Sequence, residues 1–208
     1  MNWKAADRVL LEEIDGRLKV ACERAGARMA CKPGCADCCI GLFTINELDA
    51  RRLGAGVEGL RQTDPARAEA VVERARGVLD QIKGSFPGDS KTGRLDPDDP
   101  GTDAFVERFS QIACPALDPS TQLCDLYEHR PLSCRTFGLP VKINEESLPP
   151  CSLCFKGASA KEIDAHRIDP DPDGLEHAIL CELTGTGAMS DETVVAYAVL
   201  TPHRRDDD

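Results

Sequence analysis

Near the start of the chain, Val9, Leu10, Ile14, Leu18 and Cys22 fall at helical spacing with acids and bases between them. That pattern predicts one amphipathic helix from Trp3 to Met29, with Cys22 on its apolar stripe as a buried thiol rather than a ligand. Pro33 and Gly34 mark a turn beyond it. Thr44-Ile-Asn-Glu47 reads as a capping box that opens a short helix through Arg52. Asp64-Pro65 opens another, whose apolar side carries Ala68, Val71, Val72, Ala75, Val78, Leu79 and Ile82. Residues 84–102 are rich in Gly, Pro, Asp and Ser and read as a surface loop without chemistry of its own. Two further helices are expected near Leu175–Leu183 and Glu192–Leu200, followed by a charged, frayed end.

The cysteines change this outline, because they are grouped. Cys31, Cys35, Cys38 and Cys39 form a C-x3-C-x2-C-C run; Cys114, Cys124 and Cys134 recur at ten-residue intervals; Cys151-x2-Cys154 closes the set. Gaps of two and three residues let thiolates turn toward one centre, as a zinc ion or an iron–sulfur cluster requires. The spacer Asp118-Pro-Ser-Thr-Gln fits a hairpin or tight loop that returns Cys124 beside Cys114. Pro131 at the first position of a short helix would set Cys134 on its opening turn, where backbone amides stabilise a thiolate. Pro149-Pro150 extends the chain into the last pair. The expected fold is mainly α: a compact single domain of short helices and irregular loops around a thiolate metal centre. An N-terminal helix (1–30) packs on the core, a cysteine-cluster domain spans 31–155, and a helical extension covers 156–208.

A disulfide framework explains the cysteines less well. The count of eleven is odd, and adjacent Cys38 and Cys39 could pair only with strain. No secretory signal or membrane span is readable in MNWKAADRVLLEEIDGRLKV, so the cytoplasm is expected, where thiolates stay reduced. A net charge of −11 disfavours nucleic acid and anionic membrane surfaces as partners. Only 4% of residues are aromatic, so coordination is expected to help hold the fold.

Three motifs in order carry a resemblance: the run ending Cys35-x2-Cys38-Cys39, Cys114-Pro-x-Leu117, and Cys124-x2-Tyr127-x2-Arg130-Pro131-x2-Cys134-Arg135. Together they resemble the YkgJ-type cysteine-cluster family, a zinc- or iron-chelating domain also similar to one in flagellin lysine-N-methylase. The first gap, Cys31-x3-Cys35, is one residue longer than is common there. The resemblance covers roughly residues 31 to 155. It transfers no methylase activity, since no strand leads into G-x-G-x-x-G.

Metal ligands are expected at Cys31, Cys35, Cys38, Cys39, Cys114, Cys124, Cys134, Cys151 and Cys154. The cofactor is an iron–sulfur cluster, of 4Fe-4S type, or Zn2+. Vicinal Cys38-Cys39 is awkward for a single zinc because adjacent side chains diverge along the backbone. Arg130 and Arg135 are placed to offset thiolate charge, with surface salt bridges as the alternative. Tyr127 is expected to pack a small core, and His129 to face solvent. His166, His177 and His203 stand alone. Asp96-x-Asp98-Asp99 lacks the glycine and final glutamate of a calcium loop and reads as solvated. No G-x-S-x-G, P-loop or H-E-x-x-H occurs. Three function classes stay open: a non-catalytic metal-binding module, an iron–sulfur enzyme or redox protein acting on a protein side chain, and a metal-handling or sensor protein. A protein partner or protein substrate fits any of them.

Overall fold

Amphipathic helices must each find a surface to cover their apolar stripe, and these find it in two separate groups. The computed structural model describes residues 2–96, 99–143, 146–185 and 192–201. The helices are α1 (Trp3–Ala25), α2 (Glu47–Thr63), α3 (Pro65–Ile82), α4 (Thr102–Arg108), α5 (Leu132–Thr136), α6 (Ala160–Ala165), α7 (Leu175–Thr184) and α8 (Val195–Leu200). Short strands are β1 (Thr44–Ile45), β2 (Gly88–Asp89), β3 (Arg94–Leu95), β4 (Val141–Ile143), β5 (Glu146–Leu148) and β6 (Thr193–Val194). They pair antiparallel as β1–β6, β2–β3 and β4–β5, so the protein is mainly α. The chain divides into two compact units, one from Met1–Lys32 and Leu132–Gly187, the other from Pro33–Pro131 and Ala188–Asp208. No described helix is long and apolar enough to cross a membrane.

In the first unit, α1 buries Leu10, Ile14, Leu18, Ala21 and Ala25 and packs on α7 and α5. Each fully buried Leu or Ile contributes about 1.5–3 kcal/mol. Buried Arg135 of α5 reaches back to α1, its Nη1 donating to both Asp15 oxygens at 2.8 and 2.6 Å. Arg167 Nη1 donates to the carbonyls of Val141 and Leu148, tying the β4–β5 hairpin to the segment after α6. Ser159 and Glu162 form a capping box at the start of α6.

The second unit is built from α2, α3 and α8, each packed on the other two. Helix α8 has Val195 to Val199 all buried, so its continuous apolar run sits inside the core instead of showing a stripe. The β1–β6 pairing, Thr44↔Val194 and Ile45↔Thr193, brings α8 to the start of α2. Phe86, Phe105 and Tyr197 meet edge to face, with Phe86–Phe105 centroids 5.6 Å and Phe86–Tyr197 centroids 4.9 Å apart. Phe109 joins them against Phe105, so four of the nine aromatic residues form one cluster.

Several elements differ from the sequence reading. Helix α1 ends at Ala25, where Gly26 turns to φ +53°, and a 3-10 turn follows over Gly26–Arg28. Its stripe shifts from Leu18 to Ala21 and Ala25, leaving Cys22 exposed rather than buried. Asn46, not Thr44, caps α2, accepting from the Asp49 N–H at 2.9 Å. The helix then runs through three glycines to Thr63, well past Arg52. Asp64 and Pro65 open α3 as expected, Asp64 accepting from the Arg67 N–H. Pro131 immediately precedes α5, and Cys134 lies on the helix's opening turn. The loop over 84–102 contains the β2–β3 hairpin. His203, Asp98 of the acidic cluster and the charged end beyond Thr201 lie outside the described residues.

The hairpin rests on α8 at a glycine. Gly93 has φ +75°, and a Cβ there would stand 2.3 Å from the Tyr197 ring. Gly93→Ala is expected to lower unfolding stability by about 2–4 kcal/mol, through strain and overpacking together. Gly77→Ala on α3, where an added Cβ meets nothing within 4 Å, should leave stability unchanged or raise it. Urea midpoints of the two variants check both.

Candidate metal centre

The cysteine segments of the second unit are joined first by backbone. A 3-10 turn over Asp37–Cys39 brings the vicinal sulfurs of Cys38 and Cys39 to 3.9 Å, although adjacent side chains ordinarily diverge. The chain after Cys39 runs antiparallel to the chain before Cys114: the Cys114 N–H donates to the Cys39 carbonyl at 2.7 Å and the Gly41 N–H to the Ile112 carbonyl at 2.8 Å. From Cys114 the expected hairpin forms. Leu117 bridges Cys124, and Asp118 accepts from the Ser120 N–H to shape the turn. Cys124 therefore returns beside Cys114, and Cys38, Cys39, Cys114 and Cys124 interact electrostatically in every pairwise combination.

Backbone amides support these sulfurs. Those of Ala116 and Leu117 favour the Cys114 thiolate, and that of Leu126 favours the Cys124 thiolate. Such donors lower the cost of a thiolate. Burial nevertheless pushes the Cys114 thiol up to about 12, and burial raises Cys124 as well. Within the vicinal pair, the hydrogen bond from Cys39 brings Cys38 down to about 7, while the same bond and burial push Cys39 up. The Arg130 guanidinium favours the charged forms of both Cys38 and Cys124. It stacks over the exposed Tyr127 ring at 3.8 Å and donates to the Tyr127 carbonyl at 2.7 Å. Tyr127 thus orients a cation at the surface instead of packing a core, because the short 3-10 turn over Tyr127–His129 leaves its ring outward. His129 is exposed, as expected, although its ring lies against Gly56 of α2.

One residue with a clear role escaped the sequence reading. Asp125, buried next to Cys124, receives Arg67 Nε and Arg74 Nη2 from α3, each at 2.5 Å. Arg74 Nε also donates to the Pro115 carbonyl at 2.8 Å. Two arginines spaced two turns apart on one helix were the available signal; their partner was not legible without the fold.

The other expected ligands are placed as follows. Cys35 lies in the second unit and makes no such contact among the described residues. Cys31, Cys134, Cys151 and Cys154 belong to the first unit. There Cys31 and Cys154 sulfurs are 3.9 Å apart, and the Leu153 N–H donates to Cys151 Sγ at 3.4 Å. Arg135 is engaged by Asp15. None of the eleven cysteines is in a disulfide.

Whether these groups suit a metal can be judged from the donors. A Zn–S bond of about 2.3 Å in a tetrahedron sets sulfurs about 3.8 Å apart. The Cys38–Cys39 separation of 3.9 Å matches that edge. Among the described residues no three His, Cys, Asp or Glu side chains already surround one point, so side-chain rotation completes any site. The donor set, its amides and Arg130 fit a thiolate-bound metal.

A mainly α chain with clustered thiols, gathered by a hairpin and supported by amides, suits metal chelation. A family model, CxxCxxCC, described as "Putative zinc- or iron-chelating domain", matches residues 30–154, and the chain belongs to that family. No curated protein and no solved structure matches it.

Two tests follow from this geometry. In metal-free protein at pH 7, iodoacetamide should modify Cys38 well before Cys39 or Cys114, because the thiolate is the nucleophile; peptide mass spectrometry reads the order. Asp125→Asn should destabilise the protein by about 1–3 kcal/mol, since it weakens charged hydrogen bonds from two arginines; chemical denaturation measures this.

Proposed function

We propose that the second unit holds a single metal ion, zinc in the first instance, on Cys38, Cys39, Cys114 and Cys124, and that the protein works as a metal-binding module. The observation that carries this reading is the 3.9 Å spacing of the vicinal sulfurs. It suits two ligands of one ion better than thiolates on different irons of a cluster. A bound divalent cation would supply the positive charge that lets sulfurs with raised pKa values ionise together. Arg130 assists from outside, and Asp125 with Arg67 and Arg74 fixes the hairpin that presents Cys114 and Cys124.

Such an ion would join segments from the two ends of a long loop, between Cys39 and Cys114, and so couple metal binding to folding. A second reading, a metal-handling or sensor role, is favoured by the partial exposure of Cys38 and Cys39, which leaves that edge of the site open to competing ligands. Rapid zinc loss to a small chelator would select it over the structural module.

The deciding measurement is metal content with an absorption spectrum on protein purified anaerobically. Colourless protein with zinc is expected; iron with acid-labile sulfide and a broad visible band would replace the single ion by an iron–sulfur cluster. Cys38→Ser and Cys114→Ser should each weaken zinc binding at least about tenfold, whereas Cys181→Ser should not. Unchanged affinity in the first two would refute the ligand set.

A further inference from the structure

The first unit repeats the features of the thiol group in the second. Cys31 and Cys154 sulfurs are 3.9 Å apart, the same separation as Cys38 and Cys39. Cys154 is buried, and its sulfur accepts from the Ala30 N–H at 3.4 Å. In the Cys151-x2-Cys154 turn, the Leu153 N–H donates to Cys151 Sγ at 3.4 Å, and the Cys154 N–H donates to the Cys151 carbonyl at 2.9 Å.

The surroundings hold the turn in place. The Phe155 N–H donates to the Arg28 carbonyl at 2.8 Å, which docks the Cys151–Cys154 turn against the chain leading to Cys31. Gly138, at φ +109°, lets the backbone approach these sulfurs closely; a Cβ there would lie 2.9 Å from Cys31 Sγ, 3.1 Å from Met29 Cε and 3.7 Å from Cys154 Sγ.

We propose that Cys31, Cys151 and Cys154 form a second thiolate site in the first unit for zinc or another soft divalent cation. A simple dithiol pair would use Cys31 and Cys154 and give no reason for an amide turned toward Cys151. The turn and the paired sulfurs together suit a cation that gathers several thiolates. The same rotation of side chains is needed here, since no three thiols already surround one point among the described residues.

The test uses the full chain, purified anaerobically and loaded with Zn2+, and labelled with N-ethylmaleimide before and after chelation. Peptide mass spectrometry reads each cysteine separately. Zinc is expected to slow labelling of Cys31, Cys151 and Cys154 at least about tenfold, leave Cys181 unchanged, and reach two ions per chain. The double variant Cys31→Ser/Cys154→Ser should hold one zinc and keep Cys38 and Cys114 protected. Protection of Cys38 and Cys114 without protection of Cys31 and Cys154 overturns the second site and leaves the first intact. Loss of zinc from both groups in the double variant, with helical circular dichroism retained, also overturns it, because the cysteines would then share one centre. A Cys31–Cys154 disulfide in the intact mass without reductant overturns it too.

Discussion

Sulfurs gathered this closely cannot all ionise unless a cation joins them. Cys38, Cys114 and Cys124 each raise the cost of charging a neighbour, and burial adds to that cost at Cys114 and Cys124. Amides from Ala116, Leu117 and Leu126, with Arg130 at the rim, reduce the cost without removing it. An apolar cluster of the same volume would need none of these donors. Their presence makes sense as preparation for thiolates, which is the chemistry that a zinc- or iron-chelating family requires.

The helices of the second unit serve this arrangement by fixing backbone that would otherwise be loose. Helix α3 carries an apolar face toward α2 and α8 and, at Arg67 and Arg74, a polar edge that grips Asp125. One helix therefore does two jobs, packing the core and anchoring the Cys114–Cys124 hairpin. In the first unit a comparable part falls to α1, which packs on α7, while the end of its following turn, at Arg28, receives the Phe155 amide.

Much of this was legible before the fold. Asp64-Pro65 announced α3 because an acidic cap and a proline at the first helical position leave few alternatives. The turn residues from Asp118 announced the return of Cys124. Elsewhere two local signals competed. Thr44-x-x-Glu47 met the capping-box pattern, yet Thr44 pairs with Val194 in a strand and Asn46 became the cap. Cys22 and Ala21 are both possible successors to Leu18 on a helical stripe, and only the packing of α1 chose Ala21. Tyr127 turned outward under Arg130 because its short turn offers no core on that side.

The sequence by itself determined the sulfur chemistry: which residues can ligate, in what local turns, and that helices surround them. Those properties depend on residue type and on neighbours a few positions away. Tertiary structure decided which sulfurs meet. Cys31 stands four positions before Cys35 in the chain, yet its sulfur lies beside Cys154, while Cys39 lies among Cys38, Cys114 and Cys124. Such partnerships are made by backbone contacts between distant segments, such as the Cys114 amide on the Cys39 carbonyl and the Phe155 amide on the Arg28 carbonyl. A hydrogen bond of that kind can form at any residue, so no side-chain pattern announces it.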